Sequence, residues 1–99
     1  MNDTVTLSIT AVTPTTHASR YLQQLAKHWS HKLEVEFTPL HATIRFPSDV
    51  VATLDAGEEA LTSTIEAADA ETLERMKQVV ADHLDRFAFR EAPLPFPWS

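Results

Sequence analysis

The sequence contains no cysteine and a single glycine, Gly57, and each shortage excludes whole classes of protein. Without cysteine the chain cannot form disulfides, use a thiolate nucleophile, or hold zinc or an iron–sulfur cluster through sulfur. With one glycine it cannot build the glycine-rich loops that bind phosphates and dinucleotides. The lack of cysteine also fits a reducing compartment, so we expect a cytoplasmic location.

Positive charge is also scarce, and no long apolar run is present. The chain has 8 Lys and Arg against 14 Asp and Glu, a net charge of −6. This balance argues against nucleic acid or an anionic membrane surface as a partner. The first residues, Met1 to Thr4, lack the basic and apolar regions of a secretion signal, and no stretch is long enough for a transmembrane helix. We therefore expect a protein that binds neither nucleic acid nor membrane.

The length and composition are those of an ordinary globular domain. With 99 residues, of which 43% are hydrophobic, the chain can bury a core without disulfides or a structural metal. We expect a single domain over residues 1–99. Its last part, residues 92–99, is expected to form a proline-rich extended tail.

Apolar and polar residues alternate in five segments, which predicts five half-buried strands. The inward-facing residues are, in chain order, Val5, Leu7, Ile9 and Ala11; Leu33, Val35 and Phe37; Ala42, Ile44 and Phe46; Val50, Ala52 and Leu54; and Leu61, Ser63 and Ile65. The first segment starts at about Thr4 and is expected to stop at Pro14.

Two other segments show helical spacing. The first predicted helix follows a cap at Thr15 or Thr16 and runs to about His31 or Lys32. The second begins after Asp69, a good N-cap residue. Its core stripe is Leu73, Met76, Val80, Leu84 and Phe87.

The resulting order of elements is β-α-β-β-β-β-α. Short links between strands two and five predict an antiparallel meander, and strand one is expected to pair with strand five. We predict an α+β fold: a two-layer sandwich in which a five-stranded antiparallel sheet carries two helices on one face. This is the element order of half a TATA-binding-protein-like fold or of a small helix-grip relative, an analogy that carries no function.

His28 and His31 lie near the end of the first predicted helix. Their spacing places both imidazoles on one helix face. Neutral imidazoles in that arrangement can chelate a transition metal, with Glu34 or Glu36 as a nearby carboxylate ligand. The alternative is a solvated helix face without a ligand.

His83 is not expected to join these two histidines within one chain. It lies 14 residues past Asp69, which corresponds to about 20 Å along the second helix. If the first helix ends beside the start of the second, this offset separates the two groups. Only steeply crossed helices or a dimer would bring them together.

The end of the second helix carries His83, Arg86 and Arg90 on one stripe. Cations at a helix C-terminus complement the helix dipole, which is one interpretation. The other is an anion site, because guanidinium groups bind carboxylate and phosphate bidentately. Asp85 and Glu91 are close enough in sequence to neutralise these arginines as surface pairs.

The tail combines three prolines with three large apolar residues. Alternating prolines favour an extended chain, so Leu94, Phe96 and Trp98 project to one side. These side chains need a surface to cover them. The tail either lies over its own domain, on a sheet edge or the helix layer, or docks on another chain.

Motifs for catalysis are sparse. Ser30 stands between two histidines but not in a nucleophile elbow. No two carboxylates are paired for acid–base chemistry. A general base at His28 or His83 is the enzymatic alternative, and we assign no catalytic residue.

Strings of residues distributed along the chain are similar to those of a known family. They are residues 19–22, 27–32, 35–37, 44–47, 66–67 and 83–91, of which 83–91 and the two histidines before Lys32 are the most specific. They resemble a bacterial domain-of-unknown-function family, number two-two-one-eight. The resemblance implies no established activity, but it implies a place beside siderophore-interacting flavoproteins, to which some members are fused.

The chain departs from that family at two places. Members often carry a cysteine in the first helix and a glycine after the Ile-x-Phe-Pro strand. Here Ala26 and Ser48 or Asp49 occupy those places. A thiol-dependent role is therefore not expected of this chain.

Together, residues and resemblance predict a small accessory or binding module for iron or siderophore handling rather than an enzyme. Its ligand would be a transition metal or a ferric chelate. The predicted recognition surface consists of His28, His31, Lys32, His83, Arg86 and Arg90. One alternative is a homodimeric interaction module without a small ligand, docking on a siderophore-interacting flavoprotein and making contact through Leu94, Phe96 and Trp98. Another is a transition-metal-binding protein that uses His28 and His31.

Overall fold

The computed structural model describes residues 6–99, so the predicted strand residues Thr4 and Val5 lie outside the described part. Seven elements follow one another: β1 Leu7–Pro14, α1 Ala18–Trp29, β2 Glu34–Phe37, β3 His41–Phe46, β4 Val50–Ala56, β5 Ala60–Ala67 and α2 Ala70–Phe87. The predicted order β-α-β-β-β-β-α is confirmed.

The five strands form one antiparallel sheet in the order β1-β5-β4-β3-β2. Short turns join β2 through β5. The last strand, β5, pairs with β1, and Ile9 lies opposite Ile65. The predicted meander and the pairing of the first strand with the fifth are therefore confirmed. Both helices lie on one face, α1 against β2 to β5 and α2 against β5 and β1.

The core lies between the sheet and the helices. Its sheet side consists of inward residues that alternation predicted, including Ile44, Leu54, Leu61 and Ile65, all fully buried. Phe37 is an exception: it ends the edge strand β2 and is 37% exposed. Leu22 and Leu25 of α1 and Val80 and Leu84 of α2 pack against the buried strand residues. Burial of each such side chain stabilises the fold by roughly 1.5–3 kcal/mol. The spacing of these residues in strands and helices therefore favours the arrangement that buries them all.

The opposite face of the sheet is polar. Thr10, Thr64, Thr53 and Thr43 lie side by side across four strands. The hydroxyls of Thr10 and Thr64 are 3.2 Å apart and hydrogen-bonded. β-Branched residues suit strands, and polar ones suit a face that no helix covers.

The two helices begin in different ways. At α2, the Asp69 carboxylate accepts a hydrogen bond of 2.8 Å from the Thr72 N–H, as predicted for an N-cap. At α1, the predicted cap is wrong: the N-cap residue is His17, whose side chain caps nothing. Instead, the Thr15 hydroxyl oxygen accepts a hydrogen bond of 3.0 Å from the His17 N–H. The same hydroxyl donates to the Glu91 carboxylate.

The first helix is also shorter than predicted. It ends at Trp29 rather than near His31 or Lys32. The N–H groups of Lys32 and Leu33 both bond to the Trp29 carbonyl, at 3.0 and 2.8 Å. This tight turn lets the chain enter β2 directly, so His31 and Lys32 lie beyond the helix.

The tail folds back onto the edge of its own sheet at β1. Thr10 and Ser99 exchange two backbone hydrogen bonds of 3.1 and 2.9 Å. The Thr13 hydroxyl donates to the Pro95 carbonyl at 2.7 Å. The first of the two predicted placements, over a sheet edge, is the one observed.

The apolar residues of the tail pack to different depths. Leu94 is 6% exposed and belongs to the core. Phe96 and Trp98 stack on each other with ring centroids 5.7 Å apart and remain half-buried. A contact of these residues with another chain stays a prediction, and of the three only Phe96 and Trp98 are accessible for it.

Candidate functional site

A cleft opens between the start of α1 and the end of α2, because the two helices run antiparallel on the sheet. Its volume is about 340 Å³. The residues that line it are His17, Arg20, Tyr21, Gln24, Phe87, Phe89, Arg90 and Glu91. We refer to this set as the interhelical cleft.

Two arginines face the interhelical cleft, one from each side. Within residues 6–99, neither Arg20 nor Arg90 forms an ion pair with a carboxylate. The Arg90 guanidinium carbon lies 5.7 Å from the ring centroid of Phe89, within cation–π distance. Phe89 itself is 72% exposed. Unpaired guanidinium groups beside open aromatic rings suit an anionic ligand with an aromatic part.

Glu91 supplies the one negative charge of the cleft, and its carboxylate is anchored. The Tyr21 and Thr15 hydroxyls both donate to the same carboxylate oxygen, Thr15 at 3.0 Å. The hydrogen bond from Tyr21 lowers the pKa of Glu91, assisted by Thr15 and the charge of His17 and opposed by desolvation. Burial, followed by the bond to Glu91, raises the pKa of Tyr21. At neutral pH the pair is a neutral phenol and a carboxylate.

The carboxylates that were expected to neutralise the C-terminal arginines do not do so. Glu91 is held by Tyr21 and Thr15, and the Asp85 carboxylate accepts the Leu94 N–H at 2.9 Å. No ion pair of Arg86 or Arg90 occurs within the described chain. The prediction of neutralised surface pairs is therefore wrong, because both acids serve to fasten the segment after α2.

The line along which α1 and α2 pack against each other, which we call the helix seam, also brings two histidines together. The ring centroids of His28 and His83 are 5.6 Å apart. Phe87 lies 5.8 Å from His28, and Trp29 lies 4.9 Å from His83. We call His28 and His83 the histidine pair, and since Phe87 also lines the interhelical cleft, the two sites are adjacent.

The expected separation of these histidines was wrong. It assumed that α1 ends beside the first turn of α2. Instead the end of α1, at His28 and Trp29, lies beside the last third of α2, at His83. The first half of α2 therefore extends past the end of α1, and the offset counted from Asp69 does not separate the two rings.

The two rings differ in environment. The His83 Nδ1 lies 2.7 Å from the Val79 carbonyl oxygen, which can only accept, so Nδ1 carries the proton. His28 is more exposed. Desolvation lowers the pKa of His28, and the positive charges of His83, Arg86, Lys32 and His31 lower it further. At pH 7 the His28 ring is neutral.

The other predicted surface residues lie around this pair. His31, Lys32 and Arg86 are exposed, and all three act electrostatically on His28. The predicted recognition surface is therefore divided between two places. Arg90 lines the interhelical cleft, whereas the other five predicted residues lie at or around the histidine pair. Metal binding through His28 and His31 stays a prediction, and residues 6–99 hold no group of three or more His, Asp or Glu placed for a metal ion. Of the expected carboxylate ligands, Glu34 instead lies 3.7 Å from Arg45.

Sequence reasoning missed most residues of the interhelical cleft. His17, Arg20, Tyr21, Gln24 and Glu91 were absent from the predicted site. Arg20 and Gln24 share a helix face with His28, and that was the available signal. The partnership of Tyr21 with Glu91 had none, since 70 positions separate them.

Another polar cluster lies on the open face of the sheet. His41 Nδ1 is 2.6 Å from the Asp55 carboxylate, and His41 Nε2 is 3.2 Å from the Thr43 hydroxyl. This order of hydroxyl, imidazole and carboxylate resembles that of hydrolases. However, His41 and Asp55 are each about half exposed, and the strand N–H groups that could hold an oxyanion are engaged in the ladder. Nor does Ser30 act as a nucleophile, since its hydroxyl donates to the Lys27 carbonyl at 2.7 Å.

None of the helices within residues 6–99 has both the length and the apolar character needed to cross a bilayer.

Comparison with known proteins identifies relatives but no activity. The model of a family described as "Uncharacterized protein conserved in bacteria (DUF2218)" matches residues 10–99, which confirms the resemblance drawn from the residue strings. Among solved structures, the NMR structure of PA4090 from Pseudomonas aeruginosa is similar, with 36% sequence identity and a TM-score of 0.79. The match covers 93% of this chain and 94% of that one. No curated protein matches the chain.

Proposed function

We propose that this chain, which belongs to the bacterial DUF2218 family of uncharacterised proteins, is a non-enzymatic binding module for a small anionic ligand. The observation that carries the proposal is the interhelical cleft, where Arg20 and Arg90 stand unpaired beside aromatic rings. We assign the ligand to the class of ferric chelates, and the module to iron or siderophore handling in the cytoplasm.

The dimensions and lining of the cleft support a small-molecule ligand. A volume of about 340 Å³ lies in the range of small-ligand pockets. Phe87, Phe89 and Tyr21 provide apolar contact area, while the arginines provide charge-assisted hydrogen bonds. Ferric complexes of catecholates carry both an aromatic ring and negative charge. Glu91 keeps its negative charge, but the two arginines that line the same cleft outnumber it.

The predicted cations next to the cleft support the same assignment. Lys32 and Arg86 continue the positive strip of the arginines along the helix seam, where they lie around His28, His31 and His83. A local positive strip attracts an anion even when the whole protein is acidic. The strip thus acts as the approach to the cleft.

The proposal is tested by calorimetry with the ferric complex of 2,3-dihydroxybenzoate. We expect the wild-type protein to bind and the double variant Arg20→Gln/Arg90→Gln to lose at least about tenfold in affinity per arginine, the value of a charge-assisted hydrogen bond. Ferric citrate, which is anionic without a ring, should bind more weakly than the aromatic complex, because it gains nothing from the phenylalanines.

A matched control removes equal charge elsewhere on the chain. Arg75→Gln/Lys77→Gln lies in the part of α2 that extends past α1, where Lys77 pairs with Glu74 at 2.6 Å. This variant should bind like the wild type. Absence of wild-type binding, or an equal loss in both double variants, would show that the interhelical cleft is not a ligand site.

A protein-interaction role is the second candidate, as a homodimer or as a module docking on a siderophore-interacting flavoprotein. Its support is the stacked and half-buried pair Phe96 and Trp98 on the β1 edge. Deleting the whole tail would also remove buried Leu94, so Phe96→Ala/Trp98→Ala is the cleaner variant. Sedimentation should show association that this variant loses, and a monomeric wild type would exclude the homodimer.

A further inference from the structure

The histidine pair has the chemistry of a metal site that helical spacing alone does not predict. His28 and His83 come from different helices and face each other across the seam, with ring centroids 5.6 Å apart. Zinc–imidazole bonds measure roughly 2.0–2.1 Å, which places the centroids of two rings on one ion roughly 5–5.5 Å apart. Only a small adjustment of the exposed His28 is needed to reach this separation.

The hydrogen bond that His83 makes leaves its other ring nitrogen suited to coordination. Its Nδ1–H donates to the Val79 carbonyl, which leaves the Nε2 lone pair free in the neutral ring. Metal-binding histidines commonly donate their other N–H to a carbonyl or carboxylate, because this fixes the tautomer and orients the ring. Val79 lies one helical turn before His83, so the helix itself supplies this orientation.

We propose that His28 and His83 together bind a divalent transition-metal ion, with water or a small anion completing its coordination. Imidazole ligands and the Irving–Williams order predict Cu²⁺ as the strongest binder, above Ni²⁺ and Zn²⁺. The site differs from the predicted pair His28 and His31, because His83 comes from a second helix whereas His31 lies just beyond the end of α1. It is independent of the anionic ligand of the interhelical cleft.

The charges around the pair shape this site. Arg86, Lys32 and His31 add positive potential at His28. This potential opposes a bare dication, and therefore favours an ion that carries an anionic ligand in its open positions. Because residues 6–99 offer no third protein ligand, the site is labile rather than a structural metal centre.

The test uses the tryptophan beside the site as its reporter. Trp29 lies 4.9 Å from His83, so a Cu²⁺ ion held there quenches its fluorescence. Trp98→Phe serves as the background, which leaves Trp29 as the single tryptophan. In this background we expect saturable quenching by Cu²⁺, and reversal of it by excess Zn²⁺ or by a chelator.

Four histidine variants separate the alternatives. His28→Ala and His83→Gln should each weaken Cu²⁺ binding by at least about tenfold, since even the loss of an outer partner of a metal ligand costs that much. His31→Ala should stay within about twofold, and so should His41→Ala, a control on the opposite face of the sheet. Because His28 is exposed, its variant retains the fold and decides the question even if His83→Gln is unstable.

Three results would overturn the site. No saturable quenching in the background protein would mean that no metal binds there. A loss in His31→Ala with none in His83→Gln would assign the metal to His28 and His31. Equal binding in all variants would show adventitious copper. None of these results bears on the cleft, whose arginine variants are read out with the ferric catecholate.

Discussion

At the Glu91 carboxylate, three distant parts of the sequence meet. Tyr21 comes from α1, Thr15 from the turn before it, and Glu91 from the segment after α2. The two hydroxyls satisfy the charge that would otherwise lie unpaired in the interhelical cleft. This carboxylate therefore connects the start of the helix layer to its end.

The Tyr21–Glu91 contact predicts an acid-dependent part of the stability. The pKa of Glu91 is lowered in the fold, so its contribution is present above its ordinary value of 4.5 and is lost as pH falls through the lowered folded value. Tyr21→Phe should lower the unfolding free energy by about 1 kcal/mol at pH 7. This is less than a buried hydrogen bond to a charged group contributes, because solvent screens the exposed Glu91. Urea denaturation at pH 7 and pH 3 measures this cost, which should shrink in acid.

Glu91→Gln provides the control for this prediction. It removes the charge but keeps an acceptor, so in its background Tyr21→Phe should cost less than in the wild type. A cost of Tyr21→Phe that is the same at both pH values would mean that the phenol acts by packing alone.

The proline-rich tail acts as an element of the fold. It lies on the β1 edge, where Thr13 bonds to the Pro95 carbonyl and Thr10 pairs with Ser99. Asp85 accepts the Leu94 N–H, so α2 holds the tail from the other side. Covering an edge strand in this way also removes a template for unwanted strand pairing.

Burial of Leu94 predicts a large and local dependence of stability on the tail. Leu94→Ala should lower the unfolding free energy by about 2–3 kcal/mol, through lost burial and the cavity left behind. Phe89→Ala is the matched control: it removes a larger apolar group nearby, but one that is 72% exposed, and should change stability by less than about 0.5 kcal/mol. Chemical denaturation of both variants measures the difference, and similar values would show that the tail does not belong to the core.

Over the whole molecule, charge is distributed unevenly. The chain carries a net charge of −6, yet Arg20, Arg90, Arg86 and Lys32 line one helix seam. Two carboxylates at the end of this seam, Glu91 and Asp85, are engaged in hydrogen bonds with other groups. An anion approaching the seam therefore meets a local potential opposite in sign to that of the protein as a whole.

This distribution predicts that ligand binding depends on salt. Affinity for the ferric catecholate should fall several-fold between about 0.05 and 0.5 M NaCl, as the screening length drops below the size of the cleft. Calorimetry across this range should give a smaller dependence for Arg20→Gln/Arg90→Gln and an unchanged one for Arg75→Gln/Lys77→Gln. Salt-independent binding would point to apolar contact as its source.

Much of the architecture follows from the sequence alone. Alternation at residues such as Ile44, Leu54 and Ile65 defines which face of each strand is buried, because side chains in a strand alternate between faces. The Asp69 cap is equally local, since the bond it makes reaches only three residues along the chain. Short links then leave an antiparallel meander as the simplest sheet.

The site depended on information that local patterns do not contain. The offset between α1 and α2 is decided by how both helices pack against the sheet. This offset places His28 beside His83. The helix rise alone leads to an expected separation of roughly 20 Å. The roles of Thr15 and Glu91 likewise arise from a contact across 76 positions. Residue types and spacing within each element are written in the sequence, whereas contacts between elements are settled only when the core closes.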